Sequence, residues 1–109
     1  MYPGATGVTE VPRVAPMIRL SVLYPAGDGT TFDHDYYKNT HVPMCTEAWN
    51  VGAEIDKGVN GPYLAAVHFF FESTDAMNAA MGAPGTAAVM ADVPNYTNAT
   101  PVMQISEIV

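Results

Sequence analysis

The stretch Tyr63–Phe71 (YLAAVHFFF) sets the terms for the rest of the chain. Preceded by the turn residues Asn60-Gly61-Pro62, it reads as a strand. Alternation puts Tyr63, Ala65, Val67, Phe69 and Phe71 on one face and Leu64, Ala66, His68 and Phe70 on the other. Both faces are apolar, so something must cover each of them.

Few other elements are on offer. Met17–Tyr24 alternates, with Ile18, Leu20, Val22 and Tyr24 on one face, and reads as a first strand. Pro25–Thr31 is a Gly-rich loop without the spacing of a phosphate-binding loop. A helix is expected from His34 to Trp49, disturbed at Pro43. Val51–Val59 reads as a strand near a sheet edge, because Glu54, Asp56 and Lys57 interrupt it. Ser73 or Thr74 caps a second helix with an apolar stripe of Met77, Ala80 and Met81. Gly82–Gly85 interrupts that helix, which resumes over Thr86–Ala91. A loop, Val93–Pro101, precedes a last strand at Val102–Val109. Residues 1–16 show no period and read as a flexible or extended arm before one domain, 17–109.

The order strand–helix–strand–strand–helix–strand is the ferredoxin-like βαββαβ arrangement of the α+β class. It makes a four-stranded antiparallel sheet with the first and third strands central. Two helices cover one face only. A twofold dimer, each copy covering the other's bare face, is the expected remedy.

Composition narrows the function. Hydrophobic residues make up 49% of the chain and charged residues 14%, which again favours a partner surface. Four Lys+Arg against eleven Asp+Glu give a net charge of −7. Nucleic acid and anionic membrane surfaces are therefore unexpected partners. No apolar run approaches the ~20 residues of a membrane span. A single cysteine, Cys45, precludes an internal disulfide. With no secretory pattern at the N-terminus, a cytoplasmic location is expected.

The chemistry-bearing groups concentrate in Phe32–Met44 (FDHDYYKNTHVPM). Asp33 is an expected N-cap, and Phe32 with Tyr37 an expected hydrophobic staple. Four-residue spacing aligns Asp33, Tyr37, His41 and Cys45, with Met44 beside them. Pro43 cannot donate its amide to the Asn39 carbonyl, so a kink or break is expected next to His41. His41 is the leading candidate for moving a proton, with Tyr37 and less directly Asp35 tuning it. The alternative is that it caps carbonyls loosened by Pro43. His68 is either a satisfied core histidine or a second acid or base opposite His41. Tyr24, Met44, Phe70 and Tyr96 are the expected ligand contacts, the tyrosine hydroxyls lying at the rim of an apolar cavity. No metal is expected, since Asp33, His34 and Asp35 splay around the helix axis. Cys45 is expected to line the pocket.

This run, with Ile18–Pro25, Tyr63–Phe71, Asp92-Val-Pro-Asn-Tyr-Thr and Pro101–Val109 around it, resembles the signature of the EthD family. The resemblance spans about Met17 to Val109. It implies a dimeric α+β barrel and a role with small hydrophobic, oxygenated molecules. The family takes its name from a component of a bacterial ether-degradation system. The leading expectation is an enzyme without a cofactor, catalysing isomerisation, cyclisation or oxygenation, in which case it would be an oxidoreductase. The alternative is a non-catalytic accessory or ligand-binding protein of a degradative oxygenase pathway. A haem protein using His41 or His68 as axial ligand is the third.

Overall fold

The computed structural model describes residues 17–109, so the expected arm of residues 1–16 lies outside the described residues. The chain runs through β1 (Met17–Pro25) into a continuous helical stretch: α1 (His34–Tyr36), a π-helical turn (Tyr37–His41) and α2 (Val42–Trp49). Then come β2 (Ala53–Lys57), β3 (Tyr63–Phe71), α3 (Thr74–Met81), α4 (Thr86–Ala91), a 3₁₀ turn (Val93–Asn95) and β4 (Val102–Ile108). The strands form one antiparallel sheet in the order β2-β3-β1-β4. This is the ferredoxin-like α+β fold, with the two most apolar strands in the middle as expected.

Register follows from the period of two. Leu20 pairs with Phe69 and with Ile105, Val22 with Val67 and with Met103. These residues face the helices. Leu20, Val67 and Phe69 are fully buried there, together with Ile18, Phe71 and Tyr24. Burying each of the larger ones contributes roughly 1.5–3 kcal/mol. One residue out of phase, Ser21 pairs with His68 and with Gln104, and these face away.

Local chemistry explains the boundaries. The Asp33 carboxylate accepts from the Tyr36 amide at 3.0 Å, and Phe32 packs on Tyr37 at 4.9 Å between ring centroids, so cap and staple form as expected. Pro43 does not break the helix. The missing amide is absorbed by one wider turn, in which Val42 N–H donates to the Tyr37 carbonyl five residues back. Asn50 ends the run in the left-handed conformation, φ 53°. β2 is shorter than the expected Val51–Val59. Gly58 leaves the ladder, its N–H donating to the Leu64 carbonyl at 2.7 Å. A Cβ at Gly58 would collide with the Tyr63 carbonyl. Ser73 caps α3 through the Ala76 amide at 3.1 Å. At Gly85 a Cβ would stand 2.9 Å from that of Ala48, so the missing side chain lets α4 start against α2.

Candidate functional site

Between these helices and the sheet lies a cavity of about 400 Å³, within the size range of small-molecule sites. Its walls are largely apolar, including Leu20, Phe69, Met81 and Val89. Met90 and Met103 also line it and are exposed, which marks its opening. At one side Trp49 Nε1–H donates to Thr86 Oγ1 at 2.9 Å, and Thr86 donates on to the Ala80 carbonyl, so these polar groups are satisfied within the protein.

The other polar side carries the chemistry. Tyr37 and His41 come from the π-turn, their rings stacked at 5.5 Å and 15°. Tyr24 comes from β1. Asp92 and Tyr96 come from the segment before β4, which is strapped to the helix entrance. Asp33 N–H donates to the Tyr96 carbonyl at 2.8 Å, Phe32 and Thr97 form an isolated bridge, and Thr97 donates to the Thr31 carbonyl. Tyr24, Phe32, Tyr37 and Tyr96 then pack with ring centroids 4.9–5.8 Å apart, largely edge to face.

A line of hydrogen bonds crosses this cluster. His41 Nδ1 lies 2.9 Å from Asp92 Oδ2, His41 Nε2 3.2 Å from the Tyr96 hydroxyl, and the Tyr96 hydroxyl 2.6 Å from that of Tyr24. All four side chains are buried. Asp92 is further held by Tyr36 OH at 2.8 Å and Asn95 Nδ2 at 2.9 Å. Burial drives the Asp92 pKa upward, but the bonds from Asn95, His41 and Tyr36 together hold it below the ordinary carboxylate value. Burial lowers the His41 pKa, against the opposing pull of Asp92. His41 is thus neutral at pH 7 beside a charged carboxylate. Burial raises the pKa of Tyr24, Tyr96 and Tyr37, and pushes the Cys45 thiol up to about 12.

The expected residues do not all meet. His41, Tyr37, Tyr24 and Cys45 line the cavity. Tyr96 stands behind them in the hydrogen-bonded line. The three tyrosine side chains are buried rather than at a rim, because Tyr24 and Tyr96 satisfy each other in the interior. Met44 packs half-buried against the core outside the cavity lining. His68 and Phe70 stand on the other sheet face, since alternation along β3 turns them away from Val67 and Phe69, so within one chain His68 does not oppose His41. There His68 bonds Ser21 Oγ at 2.7 Å and Asp56 Oδ2 at 3.0 Å. Asp35 is exposed at the helix start, and the acid that holds His41 is Asp92, which sequence reasoning gave no role. Its signals are its place at the head of the Asp92-Val-Pro-Asn-Tyr-Thr run and a tyrosine four residues on. Among the described residues no three His, Cys, Asp or Glu side chains converge as metal ligands would, and no helix there is long and apolar enough to cross a membrane.

Fold and cavity together define a ferredoxin-like α+β protein with a chamber between helices and sheet. An EthD-like protein of Ralstonia eutropha JMP134 is 35% identical, with a TM-score of 0.78 over 86% of this chain and 93% of the other. The chain therefore belongs to the EthD family. Two more distant structures share the fold. A dimeric ferredoxin-like protein of unknown function from Thermobifida fusca is 14% identical, TM-score 0.64, over 91% of this chain and 97% of that one. SnoaB of Streptomyces nogalater, a cofactor-independent oxygenase, is 8% identical, TM-score 0.68, over 87% and 95%. No family model and no curated relative matches the sequence.

Proposed function

We propose that the protein binds a small hydrophobic, oxygenated compound in the helix–sheet cavity and transforms it without a cofactor, His41 taking up the proton. The observation that carries this reading is a buried, neutral imidazole held by a charged carboxylate at the polar end of an otherwise apolar chamber. A base of this kind is matched to removing an acidic proton near neutral pH. The distant likeness to a cofactor-independent oxygenase is in keeping with it. One test is aerobic incubation with a small hydrophobic phenol or ketone, without added metal or nucleotide, followed by product absorption against a protein-free control. The wild type should convert it, and His41→Gln should slow conversion about 100-fold or more. Binding without conversion, unchanged in His41→Gln, would instead support an accessory or ligand-binding protein of a degradative oxygenase pathway. The occupation of both imidazole nitrogens within the chain favours that second reading.

The bare sheet face, with half-buried Leu64 and Phe70, is read as the contact with an identical copy. The Thermobifida fusca relative is described as dimeric, which supports the same reading. Light scattering should give twice the chain mass at micromolar concentration. Phe70→Glu should give the monomer mass.

A further inference from the structure

Both ring nitrogens of His41 are engaged inside the protein, so a ligand in the cavity reaches the imidazole through other groups. The direction of each bond can be worked out. The Asp92 carboxylate only accepts, so His41 carries its hydrogen on Nδ1 and presents a lone pair at Nε2. Tyr96 must donate to that lone pair. Its oxygen then accepts from the Tyr24 hydroxyl, 2.6 Å away. The Tyr24 hydrogen is committed, while its oxygen keeps acceptor capacity, and Tyr24 lines the cavity. Beside it Tyr37 also lines the cavity, the two ring centroids 5.4 Å apart. The Tyr37 hydroxyl is buried and has no hydrogen-bond partner. A buried hydroxyl left without a well-formed hydrogen bond is costly; it lies close to the Tyr24 hydroxyl, so one ligand can meet both.

Resting on the cavity reading above, we propose that this site takes a molecule with a hydroxyl beside a carbonyl, such as a phenolic ketone or an enol. The ligand hydroxyl donates to Tyr24 and its carbonyl accepts from Tyr37. In the proton transfer the ligand O–H bond breaks and Tyr24 gains that hydrogen. Tyr24 passes its own to Tyr96, and Tyr96 passes its own to His41 Nε2. The products are a ligand phenolate or enolate and an imidazolium against Asp92, with no change of oxidation state. Both tyrosines begin and end neutral, in keeping with the burial that disfavours their anions. Tyr24 and Tyr37 are the groups that touch the ligand; Tyr96 is a positioning residue that relays.

The experiment compares three bicyclic probes by quenching of Trp49, the one tryptophan, which lines the cavity. They are 8-hydroxy-1-tetralone, 1-tetralone without the hydroxyl, and 5,6,7,8-tetrahydro-1-naphthol without the carbonyl. The wild type should bind the first about tenfold more tightly than either of the others. Tyr24→Phe should bring the ratio of the first to the second near one, and Tyr37→Phe the ratio of the first to the third. Tyr96→Phe should keep both ratios but raise the apparent pKa of the bound phenol, read from phenolate absorption, by about one pH unit or more. Circular dichroism confirms that each variant is folded. Equal wild-type affinity for all three probes overturns this inference and leaves the cavity reading intact. Binding of none of them overturns both. An unshifted phenol pKa in Tyr96→Phe removes the relay.

Discussion

The sheet carries a histidine–aspartate pair on each of its faces, and the two are nearly the same length. On the helix side His41 Nδ1 meets Asp92 at 2.9 Å; on the other side His68 Nε2 meets Asp56 at 3.0 Å. Their surroundings differ. The first pair has side chains 5% and 9% exposed, the second 23% and 63%. The remaining nitrogen also has a different neighbour, a buried tyrosine chain in one case and Ser21 of the adjacent strand in the other. Distance alone therefore does not rank the two. Exclusion of water makes Asp92 the partner His41 depends on, because the buried imidazole N–H has no solvent to turn to, whereas Tyr36 and Asn95 reach water.

The largest effect should come from removing that partner. Asp92→Ala leaves the buried His41 N–H without its acceptor and should cost about 2 kcal/mol in urea unfolding, the scale for a buried donor left unpaired. Next comes acid. His41 has a folded pKa below its ordinary 6.5, so the unfolded chain binds the proton more readily. The stability it contributes is present in full above pH 6.5 and is lost as the pH falls below that value. Asp92, also lowered, adds a further loss as pH falls below its ordinary 3.8. Unfolding midpoints measured from pH 7.5 to 5 should fall for the wild type, and the slope should flatten in His41→Gln. Asp56→Ala should cost less than about 1 kcal/mol, because Asp56 is 63% exposed and water can replace its bond to His68. A loss equal to that of Asp92→Ala would erase the contrast, and would mean that the second copy proposed for this face dries the His68–Asp56 pair as the helices dry the other. The smallest change is expected for Tyr37→Phe, which removes a hydroxyl with no partner. Its stability should stay within about 0.5 kcal/mol of wild type or rise.

Legibility in the sequence followed the range of the interactions. β3 could be read residue for residue, since its period and its flanking turn are local. The Asp33 cap and the Phe32 staple act over three to five residues and were equally plain. Pro43 announced a disturbance, but a wide turn rather than a break depends on which carbonyl the Val42 amide finds. The partner of His41 was out of reach, because Asp92 lies 51 positions further along and is brought in by the strapping of Tyr96 and Thr97 to the loop before α1. Which side of the sheet His68 serves was open for a related reason. Alternation separates the faces of β3, but only the packed helices decide which face closes over a chamber.

The four groups of the relay are drawn from positions 24, 41, 92 and 96, nearly the full breadth of the domain. A denatured chain keeps no remnant of such a site, so any occupant acts as a brace on the native state alone. At a hundredfold excess over its dissociation constant it adds about 2.7 kcal/mol. The melting temperature therefore becomes a gauge of occupancy, and a library of unknown compounds can be ranked by heating before any reaction has been observed.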